Sequence, residues 1–324
     1  MADDSRRPVI FGFGSAALDF RIRTADLGPE YRAKLLARET ALLGGGAVAN
    51  ALVQVSRLGG DAAFLGKLGG DWIGERIVAG LESEGVDCSA TIMDPMECSP
   101  FNVAAYAGEK RRRIGGFLLP NSLATVTEQE TDRLAAYLRP GDTLLVEVGE
   151  IPLYTCLRIA TISASNGVRV VLDVDLDPVA QCASTREEFE TLARISHLIM
   201  PNRDAMATLY PDLSSRELTS RMAEELGRSV VVSAAEEGAF FSDAGGEVVH
   251  QPAFEAKVVD TVGAGDAFHG GVLFALSKGA TLEKAVELGA RCGALNCGEA
   301  GAREGLPTAE AIGLNQYEVK RDEL

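Results

Sequence analysis

Short apolar runs alternate with stretches of helical spacing along most of this chain. Residues 9–13 (Val-Ile-Phe-Gly-Phe) form the first run, the length of a buried strand. Leu18, Phe20 and Ile22 then alternate with Asp19, Arg21 and Arg23, the period of two expected of a strand with one polar face. Ala51, Leu52, Val55 and Leu58 recur at three- and four-residue intervals, so this segment is predicted as a helix. Phe101, Val103 and Ala105, then Gly108-Glu109 and residues 111–114, predict a hairpin. Strand-length apolar runs follow at 143–148, 168–172, 198–200 and 230–232. Phe268, Val272, Leu273 and Leu276 predict a further helix over 267–277, with Lys278-Gly279 as its stop. Strands alternating with helices in this way predict a three-layer α/β fold.

The loop before the helix at 267 carries the chemistry. Asp260 and Thr261 are favoured capping or turn residues, and Gly263 and Gly265 flank Ala264. Backbone N–H groups at a helix start lack intrahelical partners, and the helix dipole adds partial positive charge there. Such a place holds anions, phosphate above all. Asp266 falls in the first turn. An isolated aspartate there would simply serve the dipole. Beside a bound phosphoryl group, however, a carboxylate is poorly placed to hold phosphate and well placed to take a proton from an attacking hydroxyl.

The nine residues Asp260-Thr261-Val262-Gly263-Ala264-Gly265-Asp266-Ala267-Phe268 closely resemble the C-terminal signature of the ribokinase-like (PfkB) carbohydrate kinase family. The resemblance implies a ribokinase-like α/β/α domain spanning residues 1–324, with a small lid sheet whose strands lie within 18–43 and 98–119. It implies ATP and Mg²⁺ as cofactors, Asp266 as catalytic base, and the backbone of Gly263, Ala264 and Gly265 as an anion hole. Gly45-Gly46-Ala47-Val48-Ala49-Asn50 resembles the N-terminal signature, so Gly45, Gly46 and Asn50 are expected to hold the acceptor, together with Asp19 and with Glu150 of Glu150-Ile151-Pro152. Glu147, earlier in the same strand, points to the other face. Asn202, Ser233, Gly238 and Thr261 are expected on the nucleotide side. Gly66 to Gly74 resembles a further family block, read as a structural turn with no catalytic role for Lys67.

Several positions depart from the family pattern. Where the family has Asn-x-x-Glu, Asn202 is followed by Ala205, and Asp204 lies one residue early, about 100° away on a helix. Ala235 replaces a glycine between Ser233 and Gly238. Asp175 and Asp177 stand where asparagine and arginine are frequent; with Asp173 they could approach magnesium, and they are left unassigned. Gly305 stands where some members have a serine near a monovalent cation, so the hydroxyl ligand that would support a potassium requirement is absent.

Two competing motifs carry less. Gly12-Phe13-Gly14-Ser15-Ala16-Ala17 fits a dinucleotide fingerprint, which needs a helix directly after it, and the alternation from Leu18 argues for a strand. The basic run Lys110, Arg111, Arg112 and Arg113 reads as a solvated hairpin face, with an anionic substrate as the alternative.

Composition narrows the picture further. The chain has 324 residues, 46% hydrophobic and 24% charged, enough for one large α/β domain or two small ones. A net charge of -16 argues against nucleic acid and anionic membrane, so a phosphate site has to be local, built from backbone dipoles and Mg²⁺. There is no membrane-length apolar run, no signal-peptide core in the first residues and no CxxC pair among the six cysteines, which together predict a cytoplasmic protein with reduced thiols. The terminal Arg321, Asp322, Glu323 and Leu324 resemble a retention signal without the leader it would require, and are read as coincidence. The expected activity is an ATP-dependent kinase acting on a hydroxyl of a sugar or sugar-like molecule, dimeric through the lid if an oligomer. The alternatives are a nucleoside kinase and a non-catalytic sugar- or nucleotide-binding protein of the same fold.

Overall fold

The computed structural model describes residues 6–25, 36–108 and 112–314. The first strand, β1 (Ile10–Phe13), is followed by β2 (Ala17–Thr24), β3 (Ala37–Gly45) and α1 (Ala47–Arg57). Next come β4 (Ala62–Leu65), β5 (Lys67–Gly69), α2 (Trp72–Ser83), β6 (Val86–Asp87), β7 (Ile92–Asp94), β8 (Phe101–Ala107), β9 (Arg112–Leu118) and α3 (Glu128–Ala135). The second half runs β10 (Thr143–Val148), α4 (Leu153–Ser165), β11 (Arg169–Val174), α5 (Arg186–Ile195), β12 (Leu198–Pro201), α6 (Ser215–Leu226), β13 (Ser229–Ser233), β14 (Ala239–Ser242), β15 (Val249–Gln251), α7 (Ala264–Ser277) and α8 (Leu282–Asn296).

The main sheet has the order β15-β14-β13-β12-β11-β10-β1-β4-β6. It is parallel from β13 to β6, and β14 and β15 add an antiparallel edge. The chain builds outward from β1 through β4 to β6, then returns to place β10 to β13 on the other side. The order therefore reverses between β1 and β10, and open α/β sheets bind ligands beyond the carboxyl ends of their strands at such a point.

Helices cover both faces, which is why the central strands read as continuous apolar runs. Leu144, Val146 and Val148 of β10 join Phe13 in one core, against Leu134, Ile159, Phe189 and Met222 of α3 to α6. Leu145 faces the other core with Ile10, Val171 and Val231, against Leu52, Val272 and Val286 of α1, α7 and α8. Two residues further along that second face the pattern turns acidic. Glu147 follows Leu145 and Asp173 follows Val171, the register sets them side by side, and both are buried.

A second sheet, β3-β2-β8-β9, grows from the carboxyl end of β1. Only residues 14–16 separate β1 from β2, and only Gly46 separates β3 from α1. The alternating segment after Leu18 is thus strand β2, and no helix follows the glycines at 12 and 14, which removes the dinucleotide-fingerprint reading. Lys110 and Arg111 of the basic run, and the last ten residues, lie outside the described residues. Lys67 is buried with its amine held by Asp94 (3.0 Å) and Glu130 (3.1 Å), and Asp71 caps α2 by accepting from the Gly74 N–H at 2.8 Å. All six cysteines are unpaired. Among the described residues no helix is long and apolar enough to cross a membrane.

Candidate active site

Helix α7 begins at Ala264, with Gly263 as its N-cap in the left-handed region (φ 79°) and no side chain capping it. Gly263 has no alternative, because a Cβ there would collide with the Ala302 carbonyl. Gly265 differs, since a Cβ at that position would meet nothing within 4 Å. The uncapped first turn thus opens onto free space, as an anion cradle requires. Asp260 does not cap the helix as its residue type suggested. Its carboxylate accepts from the Val262 N–H (3.1 Å) and the Gly301 N–H (3.2 Å) and pairs with Arg21 of β2 at 3.0 Å, tying the loop to the small sheet.

Asp266 sits in that first turn and accepts a hydrogen bond from Asn50 Nδ2 at 2.6 Å. The second glycine-rich stretch is therefore brought against the first, across 216 positions of sequence. Burial, and next the charge of Asp175, push the Asp266 carboxyl up to about 7, while the Asn50 bond opposes them. The side chain nonetheless keeps part of its surface open.

The glycines before α1 make room for side chains of this protein as much as for a ligand. A Cβ on Gly44 would run into the guanidinium of Arg303, and one on Gly45 would lie 2.6 Å from the Asp19 carboxylate. Gly46 takes φ 90°, against the backbone of Ser15 and Ala16. Asp19 accepts from Asn102 Nδ2 of β8 at 2.9 Å. Glu150, beyond β10, accepts from Asn121 Nδ2 at 2.7 Å, and no bond links it to the other residues expected around the acceptor.

Beneath this layer lies a charge cluster that sequence reasoning missed in part. His269, one turn after Asp266 on α7, is buried with Nδ1 3.1 Å from Asp173 Oδ2. Burial opposes its protonation, but the charge and hydrogen bond of Asp173, then Asp175 and Asp266, lift it to about 9. Burial, followed by Asp173, pushes the Glu147 carboxyl up to about 8, and Glu147 accepts from the Ser15 N–H at 2.6 Å. The three alternating acids at the end of β11 and just beyond it separate in role. Asp173 pairs with His269. Asp177 is buried and accepts from the N–H groups of Val179 (2.9 Å), Ala180 (2.8 Å) and Thr208 (3.1 Å). Asp175 alone faces the cleft, its carboxyl raised to about 6 first by Asp173. The available signals were the i, i+3 spacing of Asp266 and His269 and an acid inside an apolar strand.

Two other concavities, of about 170 and 460 Å³, lie away from these residues, the larger at the amino ends of β1, β10 and β11.

Residues 10–309 match the family described as pfkB family carbohydrate kinase. The chain belongs to that family. A ribokinase of Lactococcus lactis is 26% identical over 317 residues, covering 96% of each chain. A 2-dehydro-3-deoxygalactonokinase of Haloferax volcanii is 31% identical over 261 residues, covering 77% of this chain and 80% of that one. The crystal structure of aminoimidazole riboside kinase from Salmonella enterica, complexed with aminoimidazole riboside and an ATP analog, superposes with a TM-score of 0.72 at 25% identity, over 94% of this chain and 99% of that one. The ribokinase fold and a sugar or nucleoside kinase of the pfkB family, a phosphotransferase with an alcohol acceptor, follow from these matches.

Departures from the pfkB pattern have local explanations. Ala235, where the pattern has glycine, takes a left-handed backbone, φ 46°, which strains a residue that carries a Cβ. The turn carries the chain from Ser233 to Gly238, whose carbonyl accepts from the Ala234 N–H at 2.8 Å. Asn202 bridges to Ser233 across the ends of β12 and β13. Its Oδ1 accepts from the Ala205 N–H (2.7 Å), and its Nδ2 lies 3.3 Å from the Asp175 carboxylate. Ala205 is buried in the core, and the Asp204 side chain is 95% exposed, so neither supplies a carboxylate to the cleft. Thr261 is exposed, and its carbonyl accepts from the Ala264 N–H at 3.2 Å.

Proposed function

We propose that this chain transfers the γ-phosphoryl group of ATP to a hydroxyl of a sugar or sugar-like acceptor, with Asp266 as the general base. The observation that carries this reading is the direct bond between Asn50 and Asp266 at an uncapped helix start, which puts an acceptor-side amide and a carboxylate poised near neutrality at one point. Asp266 takes the proton of the attacking hydroxyl. The N–H groups at Gly263, Ala264 and Gly265 hold the transferred phosphoryl oxygens, since phosphoryl transfer depends chiefly on positioning and electrostatics.

Asp19, Gly46 and Glu150 hold the acceptor, with Gly45 and the buried Asn50 behind them shaping that side of the site. The amides of Asn102 and Asn121 each fix one oxygen of Asp19 and of Glu150, leaving the other to accept from a sugar hydroxyl. Asn202, Ser233, Gly238 and Thr261 line the nucleotide side. Among the described residues no group of three or more acidic, His or Cys side chains is arranged as a metal cage. The donor set still fits magnesium, which needs only one or two carboxylates beside substrate phosphates and water. Asp175 is the open carboxylate here, beside Asn202 in place of the acid absent at 205. Magnesium would supply charge neutralisation at the phosphates. The small sheet serves as the lid, with Arg21 bridging it to the phosphate loop through Asp260.

The bound riboside in the Salmonella neighbour favours a nucleoside acceptor as the second reading. The test is ADP formation from Mg-ATP across pentoses, hexoses, deoxy-sugar acids and ribonucleosides. Turnover with one class identifies the acceptor; binding of ATP and sugar without turnover refutes catalysis.

A further inference from the structure

Arg303 follows the helices, in a stretch whose resemblance to the family assigns it no role. It is 8% exposed, a buried guanidinium, and among the described residues no carboxylate lies within ion-pair distance of it. Its Nε donates to Asn50 Oδ1 at 2.6 Å, and its Nη2 donates to the Gly45 carbonyl at 2.8 Å. Arg57 holds the backbone beneath it, Nη1 donating to the carbonyls of Arg303 (2.8 Å) and Leu306 (2.9 Å). Gly44 lacks the Cβ that would displace the guanidinium.

An asparagine amide has one accepting and one donating end. Arginine can only donate, so its bond to Oδ1 fixes which end of Asn50 is free. The free end is Nδ2, and it points at Asp266 Oδ2, 2.6 Å away. Without Arg303 the amide could turn its oxygen toward the carboxylate, which would repel it. Asn50 is 3% exposed, so no solvent competes for these bonds. A buried cation without an ion-pair partner is costly, and a purely structural contact to two carbonyl-type oxygens does not require a charge. The charges balancing it at a distance are Asp19, Glu84, Asp266 and Glu304.

We propose that Arg303 is a positioning residue that fixes the Asn50 amide so that it donates to Asp266 and aims that carboxylate at the acceptor hydroxyl. This rests on the reading of Asp266 as base. The experiment compares kcat at saturating acceptor for Asp266→Asn, Arg303→Ala, Arg303→Lys and the Arg303→Ala/Asp266→Asn double variant, with circular dichroism for folding and the dissociation constant of a non-hydrolysable ATP analogue. Arg303→Ala is expected to lose about 10- to 100-fold in kcat, the usual cost of removing a partner that orients a functional group. Nucleotide affinity should stay within about twofold, the tolerance of sites outside the perturbed contact. Ethylguanidinium should restore part of the kcat of Arg303→Ala. Arg303→Lys should stay low, because an ammonium lacks the planar fork that spans Asn50 and Gly45. In the Asp266→Asn background the Arg303→Ala loss should largely disappear, since the two act as a unit. Parental kcat in Arg303→Ala, a loss that ethylguanidinium does not restore, or a loss fully additive with Asp266→Asn would overturn the proposal. Parental kcat in Asp266→Asn would instead overturn the base assignment. Should Arg303→Ala not fold, Arg303→Met takes its place in the double-variant comparison, judged by the same additivity.

Discussion

Asp266→Asn should impair catalysis and stabilise the fold at the same time. The carboxyl is held at about 7 against an ordinary value of 3.8, so the folded protein retains a proton that the unfolded chain releases. A carboxyl raised on folding costs stability as pH climbs from the ordinary value to the raised one, and the cost is complete above it. At ~1.4 kcal/mol per unit the ceiling is about 4 kcal/mol. Part of the shift belongs to neighbouring Asp175 and Asp173, and part of the side chain reaches solvent, so ~1–3 kcal/mol is expected. Asparagine carries no such charge. At pH 8 the variant should melt higher by roughly 2–8 °C, taking a few degrees per kcal/mol for a chain of this size. At pH 4 the two melting curves should coincide. Activity should move the other way, with kcat falling by about 10²–10⁴-fold as the proton acceptor is lost. Thermal melts at both pH values and a coupled ADP assay, run on one preparation, measure both effects. A folded variant with near-parental kcat refutes Asp266 as base. A melting difference that is absent at pH 8, or equal at both pH values, refutes the claim that this carboxylate is ionised against its surroundings.

The remaining predictions concern single contacts. Glu150→Gln should weaken acceptor binding by ~1–3 kcal/mol with ATP binding little changed, by loss of a charge-assisted bond; equal acceptor affinity in calorimetry removes Glu150 from the site. His269→Gln should lose ~1–3 kcal/mol of stability below about pH 6.5, because a histidine raised on folding stabilises when protonated; the deficit should shrink as pH rises through 9, and a pH-independent deficit in melts would contradict the Asp173 pairing. Ala235→Gly should raise stability by ~0.5–1 kcal/mol, the relief of left-handed strain less the added freedom of the unfolded chain; a lower melting temperature would show that the turn is unstrained.

Much of this protein was legible in one dimension because its signals are local. Buried strands and amphipathic helices announce themselves by period, and β10 and α7 end where the apolar pattern ends. The glycine-rich turn into α7 was readable for the same reason, since positive φ and close approach impose residue types on neighbours in sequence. What sequence could not decide is which distant side chains share the cleft. Arg303 meets Asn50 across 253 positions and Asp173 meets His269 across 96, distances bridged only by the strand order and register of the sheet. Three acids at alternating positions looked equivalent. The fold made one a partner of His269, turned another onto backbone N–H groups, and left Asp175 facing the cleft. Gly45 likewise looked reserved for a ligand, whereas packing fills the space beside it with Asp19. Periodicity states which face of an element is buried. Only the assembled layers state what lies opposite, and a buried polar group takes its protonation and its role from that neighbour.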